Sequence, residues 1–148
     1  MELRVKHPIL PLIALSILIM PVHAAEDLRV AVEMPDMMKF HMLANMRDHL
    51  LSLSEIQSAL AKGEYDVAAD LAEKSLGMTS LESHGAAHMA GFMPKDMQEI
   101  GNKMHRAASR FAVQAQEAQV TRDLPRALGA LSEVSQQCIA CHASYRLK

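Results

Sequence analysis

Apolar side chains recur every three or four positions through most of the chain, and this spacing constrains the fold more than any other feature. The first such segment begins at Pro35 and Asp36 and ends at Lys62 and Gly63, a cation followed by glycine that is typical of a helix C-terminus. Its apolar stripe consists of Met38, Met42, Met46, Leu50, Leu53, Ile56 and Leu60. This spacing predicts one face of an α-helix, with His49 off the stripe and on the surface.

Three further segments show the same helical spacing. The second runs from Glu64 to about Leu76, the third follows Pro94, and the last begins near Asp123 and Pro125. No run of the mature chain alternates as a strand would. Four amphipathic helices with mostly short connections predict an all-α protein, arranged as an antiparallel up-and-down four-helix bundle. The one long connection, residues 77–94, has room for a short extra helix.

The N-terminus is typical of an exported protein. Two basic residues precede an uncharged apolar run over residues 9–20, and Val22 and Ala24 follow at cleavage spacing. The run is too short to cross a bilayer comfortably, which favours a signal peptide over residues 1–24 above an uncleaved anchor. We expect a periplasmic protein with one domain over residues 25–148 and no stable membrane anchor. A formal net charge of −2 argues against nucleic acid as a partner.

The only two cysteines stand together near the C-terminus, in the sequence CIACH. On a helix, Cys138, Cys141 and His142 occupy positions i, i+3 and i+4 and project from one face. Two thiols at this spacing can form thioethers with the two vinyl groups of one haem, and the adjacent histidine can bind the iron from the same side. The motif predicts one covalently bound haem c on the last helix, with His142 as the proximal iron ligand.

Three other interpretations of the cysteine pair are weaker. A redox dithiol prefers a helix N-terminus within a βαβ unit, whereas this pair lies near the end of the last predicted helix. A zinc site would need a second pair of ligands at zinc spacing. A disulfide would close a very small loop and strain the helix.

The stretches CIACHASYR and MPDMMKFHMLANM, together with the four predicted helices, make the chain resemble the cytochrome c prime family and its low-spin relatives. The resemblance covers the mature chain and implies that Met46 faces the iron as the sixth ligand, or Met42 if the alignment slips by one turn. It also implies that Arg146 shapes the field at the iron-bound imidazole or pairs with a haem propionate. An ordinary cation at a helix C-terminus is the alternative for Arg146. Family members often pair through their first helices, so a homodimer is a further hypothesis, although no decisive apolar patch stands out on that segment.

The sixth ligand decides the expected function. Methionine at that position gives a low-spin haem suited to electron transfer, and His/Met ligation raises the reduction potential. We therefore expect a monohaem electron carrier that serves a redox partner protein. If Met46 only fills the core, the haem is five-coordinate and binds nitric oxide or carbon monoxide. The sequence holds no nucleophile–base pair or paired carboxylates that indicate an enzyme.

The long connection is rich in histidine and methionine. In SHGAAHMAGFMPKDM, His84 and His88 stand four apart, on one face if the stretch is helical. Either could replace Met46 as the sixth ligand if the connection covers the distal side. Nitrogen and thioether donors also suit copper, so a copper-binding haem protein is a third hypothesis. The structural alternative is that these residues only pack the connection. His41 and His105 add donors elsewhere, and no pattern brings them together.

Overall fold

The computed structural model describes residues 26–148, so the predicted signal peptide lies outside the described residues. The elements in chain order are β1 (Val30–Val32), α1 (Asp36–Lys62), α2 (Tyr65–Ser75), a 3-10 turn (Met78–Ser80), α3 (Ala86–Ala90), α4 (Lys95–Thr121), α5 (Leu124–Ser144) and β2 (Tyr145–Leu147). The all-α prediction is confirmed, and the long helices lie close to their predicted positions. Within residues 26–148, no helix is both long and apolar enough to cross a membrane.

Local sequence sets the ends of the long helices. Gly63 adopts a left-handed conformation with a φ of 74°, which lets its own N–H reach the Leu60 carbonyl and the next N–H reach Ala59. This pair of bonds satisfies carbonyls that the end of α1 would otherwise leave open. At the start of α5, the Asp123 carboxylate accepts a hydrogen bond of 3.1 Å from the Arg126 N–H, and proline occupies the first turn.

The long helices pack in sequence, α1 against α2, α2 against α4, and α4 against α5. Their contacts build one large apolar cluster, here called the alanine-rich core. Its members are Ile56, Ala59, Leu60, Tyr65, Ala68, Ala69, Ala72, Leu76, Met104, Ala107, Ala108, Phe111, Ala112, Ala115, Ala118, Ala127, Leu131 and Val134. Small side chains at the contacts let helix axes approach closely, and Phe111 fills the remaining space.

A second apolar cluster, here called the methionine cluster, joins β1, the start of α1, the connection and the start of α4. It consists of Val32, Met34, Met38, Met42, Met89 and Met97. Cys141 and Tyr145, from the C-terminal end of the chain, pack against it while remaining half-buried. The methionine cluster therefore surrounds the end of α5 that carries the predicted haem motif.

The structure adds two short strands that the sequence did not predict. β1 and β2 pair in parallel, with Val30 opposite Tyr145 and Val32 opposite Leu147. Consequently α5 ends at Ser144 instead of continuing through Tyr145 as its apolar stripe predicted. Strands of three residues are too short to show alternation in sequence, and their pairing joins opposite ends of the described chain.

The inward face of α1 also differs from the predicted stripe. His49 is only 8% exposed, whereas Leu50 is 70% exposed, the reverse of what the spacing predicted. The buried line passes through Met42, His49 and Ile56. Consequently the outer face of α1 carries more apolar surface than the sequence predicted, at Met37, Phe40, Leu43, Leu50 and Leu51. A histidine can be buried when other polar groups surround it. Hydrophobic spacing cannot identify such a residue.

Candidate functional site

A cavity of about 570 Å³ lies among α1, the connection, α4 and the end of α5. Six methionines line it, and they are Met42, Met46, Met89, Met93, Met97 and Met104. Their thioether side chains make the wall mostly apolar and adaptable in shape. A concave, largely apolar space with a few polar groups is the usual form of a cofactor site.

The predicted haem motif lies on α5, and two of its three residues reach this cavity, whereas Cys138 does not line it. Cys141 and His142 line it, and the His142 side chain is exposed there. Cys138 is half-buried one turn earlier and packs against the alanine-rich core, with its Sγ 3.6 Å from the Val134 carbonyl. Burial raises the pKa of both cysteine thiols. Neither cysteine is therefore an activated thiolate, which argues against a dithiol exchange site.

Both methionine candidates for the distal iron ligand line the same cavity as His142. Met46 is half-buried and packs against the methionine cluster, and Met42 is buried within it. The two side chains come from α1, while His142 comes from α5. The fold therefore brings donors from opposite ends of the domain to one cavity.

Two arginines, Arg29 and Arg146, line the cavity beside His142. Arg146 lies in β2, with its Nε atom 3.4 Å from Asp27 Oδ2, yet this buried N–H makes no hydrogen bond among the described residues. Arg29 pairs with Asp27 at 2.8 Å and donates a hydrogen bond of 3.4 Å to the His142 carbonyl. Hydrogen bonds from Arg29 lower the pKa of Asp27 to about 2. Arg146 was predicted as a site residue, whereas Arg29 was not, because it precedes the first helix and belongs to no motif.

The connection separates the two histidines that the sequence placed on one helical face. Gly85 follows His84 in a left-handed conformation, with a φ of 62°. Helix α3 begins only after it, at Ala86, so His84 and His88 do not share a helix. His84 lines the cavity, whereas His88 is exposed and contacts the Phe92 ring at a centroid distance of 6.0 Å. The structure thus places only His84 at the site.

Three histidines from different elements instead meet at the cavity wall, and we call them the histidine cluster. His49 comes from α1, His84 from the connection and His105 from α4, with ring centroids 4.7, 5.6 and 5.9 Å apart. Burial lowers the pKa of all three imidazoles, that of His49 to about 4. The cluster is therefore neutral near neutral pH. Spacing gave no sign of it, because its members are far apart in sequence.

Hydrogen bonds fix part of the histidine cluster. His105 Nδ1 donates to the Leu76 carbonyl at 2.8 Å, because a carbonyl can only accept, which leaves the lone pair on Nε2. The Ser80 hydroxyl donates to the Gly77 carbonyl at 2.7 Å, and its oxygen lies 3.4 Å from His84 Nδ1. As the side chains lie, no group of three or more histidine, cysteine, aspartate or glutamate residues within residues 26–148 forms a metal-binding arrangement.

Comparison with known proteins found no relative of this chain. The chain matches no protein-family model, no curated protein and no solved structure.

Proposed function

We propose that this protein is a periplasmic monohaem c-type cytochrome, a low-spin relative of the cytochrome c prime family that carries electrons. One observation carries the proposal: Cys141, His142 and Met46 line a single, largely apolar cavity. The motif would supply the attachment and one iron ligand, and α1 would supply a thioether from a distant part of the chain. A domain of this kind has no catalytic residues of its own and is not an enzyme.

The residues at the cavity fit one haem. Cys138 and Cys141 would hold it by thioether bonds and His142 would bind the iron, which supplies reversible one-electron exchange. The apolar wall suits a porphyrin plate, because burying apolar surface is favourable by about 25 cal/mol per Å². The half-buried Cys138 lies one turn before Cys141 on the same helix, as attachment through both thiols requires.

The charged side of the cavity fits the haem propionates. Arg29, Lys39 and Arg146 all line it, and the Arg146 Nε–H makes no hydrogen bond among the described residues, although Asp27 lies 3.4 Å away as an ion-pair partner. Guanidinium groups bind carboxylates well, because their N–H groups match the geometry of two oxygens. We assign Arg146 to a propionate or to the field around the His142 imidazole.

The bundle architecture belongs to the same proposal. Helices α1, α2, α4 and α5 would form an antiparallel up-and-down four-helix bundle, with the haem bound covalently to α5. Consecutive packing of these helices supports it, as do the short turns between α1 and α2 and between α4 and α5.

Met46 is the proposed sixth iron ligand, with Met42 and His84 as the alternatives that share the cavity wall. His88 is less favoured than in the sequence analysis, because it is exposed and lies off the described cavity wall. A Met46 thioether bound to the iron would favour its reduced form and raise the reduction potential. If none of these side chains binds the iron, the protein would take up nitric oxide or carbon monoxide instead.

The proposed partners follow from the electron-carrier role. A redox protein, not yet identified, would exchange electrons with it. A homodimer would bury the apolar outer face of α1, where Phe40 is 67% exposed and Leu50 is 70% exposed.

Absorption spectra of the purified protein test the proposal, recorded oxidised and reduced, with and without carbon monoxide. We expect a low-spin haem that resists carbon monoxide in the wild type and in Met78→Ala, a control on a partly exposed methionine that does not line the cavity. Met46→Ala should give a high-spin haem that binds carbon monoxide. The haem should stay attached on denaturation in these proteins and be lost in Cys141→Ser.

Other spectra would change the assignment. A Met46→Ala protein that stays low-spin would move the sixth ligand to Met42 or His84. A wild-type haem that is high-spin and binds carbon monoxide would refute the electron carrier and support the gas-binding protein. A wild-type chain without covalent haem would refute both.

A further inference from the structure

The histidine cluster takes no part in covalent haem attachment, and its geometry indicates a second ligand. His49 Nε2 and His84 Nδ1 lie 3.5 Å apart, which is longer than a well-formed hydrogen bond. Two nitrogens bound to one tetrahedral metal ion, each at about 2.0–2.1 Å, stand roughly 3.3 Å apart. The separation of these atoms therefore suits two ligands of one metal better than a donor and its acceptor.

His105 has the hydrogen bond that orients a metal-binding histidine. Its Nδ1–H donates to the Leu76 carbonyl at 2.8 Å, so the lone pair on Nε2 is fixed in direction. Metal-bound histidines almost always donate their other N–H to a carbonyl, carboxylate or water in this way. His105 is thus held in one tautomer before any metal arrives.

The distances between the three rings are close to those between histidines that bind one metal ion. Histidines on one tetrahedral metal have ring centroids roughly 5 Å apart. The observed separations are 4.7, 5.6 and 5.9 Å, so His105 has to approach the other two rings by less than about 1 Å. His84 can make part of this movement, because it lies in the turns of the connection and not in a long helix.

The surroundings of the cluster favour copper. His49 and His105 are buried and His84 is half-buried, so the three imidazoles are largely shielded from solvent at the cavity wall. The cluster opens on a cavity lined by methionines, among them Met104, the neighbour of His105 on α4. Imidazole and thioether donors together select copper, and the thioethers favour its reduced ion.

We propose that His49, His84 and His105 bind one copper ion at the wall of the cavity, beside the space assigned to the haem. The site is distinct from the pair His84 and His88 that the sequence indicated. It uses none of Cys138, Cys141 and His142, so it does not rest on the proposed haem attachment.

Copper binding by the purified protein, freed of metal with a chelator and titrated with copper sulfate, tests the proposal. We expect one tightly held copper per chain, with nitrogen hyperfine coupling in the electron paramagnetic resonance spectrum of the oxidised ion. His49→Gln and His84→Gln should each weaken binding by at least about tenfold. His41→Gln, a control on an exposed histidine of the same helix, should bind like the wild type, and His88→Gln should do so as well.

Three results would overturn the proposal: no tightly held copper in the wild type, unchanged affinity in both cluster variants, or a thiolate-to-copper absorption band in place of nitrogen coupling. Far-UV circular dichroism of each variant checks folding, and His84→Gln in the connection gives an independent answer if His49→Gln disturbs α1. Covalent haem is measured on the same samples. Copper bound without haem would refute only the haem proposal, whereas haem retained without copper would refute only this one.

Discussion

The alanine-rich core and the methionine cluster are built largely by the same helices but pack differently. In α1, Ile56 is fully buried in the alanine-rich core, while Met42, four turns earlier, lines the cavity. Small and branched side chains have few conformations and let helices close on each other. Long thioether side chains adapt to many shapes and can surround a space. Side-chain size and stiffness, rather than helical spacing, therefore separate the half that supports the fold from the half that holds the site.

Removing the largest fully buried side chain of the alanine-rich core should have the largest effect on stability. Phe111 is 0% exposed, and Phe111→Ala should lower the free energy of unfolding by about 3–5 kcal/mol, because it leaves a cavity among rigid neighbours. Val113→Ala on the same helix removes a side chain that is 52% exposed and should cost less than about 1 kcal/mol. Urea denaturation of both variants measures the difference. Equal losses would contradict the assignment of this region as the supporting core.

Low pH should lower the stability of the protein, because unfolding exposes the buried histidine cluster and lets it bind protons. Burial, followed by the charges of His84 and His105, lowers the pKa of His49 from 6.5 to about 4, so the unfolded chain binds more protons between these values. Stability is therefore complete above pH 6.5 and falls toward pH 4, by about 2–3 kcal/mol. Asp48 favours the charged form of His84 and opposes part of this loss.

Chemical denaturation of chelator-treated protein at several pH values measures the acid effect. His49→Gln should flatten the dependence between pH 6.5 and pH 4, whereas the exposed His41→Gln should leave it unchanged. The same slope in both variants would assign the acid sensitivity to other groups.

Adding volume at a helix contact of the alanine-rich core should cost more than reshaping a side chain of the methionine cluster. Ala68 is 0% exposed at a helix contact, so Ala68→Leu should destabilise by about 1–3 kcal/mol through overpacking. Met42→Leu conserves volume beside the cavity and should cost less than about 1.5 kcal/mol. Thermal unfolding of the two variants compares them. A larger cost for Met42→Leu would show that the methionine cluster is as rigid as the core.

The outer face of α1 should give the smallest effect. Leu50 is 70% exposed, so Leu50→Gln should change the stability of a monomer by less than about 0.5 kcal/mol. If this face joins two copies, the same variant should shift the protein toward monomer in analytical ultracentrifugation. Leu128→Gln, at a residue of α5 that is 46% exposed, is the control and should leave the association state unchanged. A dimer that persists in Leu50→Gln would place the interface elsewhere.

Helix positions could be predicted because their signals are local. Gly63 ends α1 through its own backbone conformation, and Asp123 caps α5 through its own side chain. Cys138, Cys141 and His142 share α5 for the same reason, since positions three and four apart always meet on a helix. The resemblance to the cytochrome c prime family implied that Met46 faces the site, and Met46 does line the cavity; spacing alone was a poorer guide, because Leu50 on the same stripe is exposed.

The groups that depend on distant contacts could not be predicted. His49 is buried because His84 and His105 surround it, and neither is near it in sequence. Arg29 reaches the His142 carbonyl only because β1 pairs with β2. A three-residue strand carries no pattern, and a polar side chain gives no sign of burial until its partners are known.

The sequence by itself determined a mostly helical domain, the end of α1, the start of α5 and the shared helix of the two cysteines and their histidine, because each depends on interactions within a few turns. Only the tertiary structure decided which face of α1 is buried, that Arg29 lies beside His142, and that three histidines meet at one cavity. Those outcomes depend on contacts between residues that are distant in the chain, and such contacts form only when the helices pack.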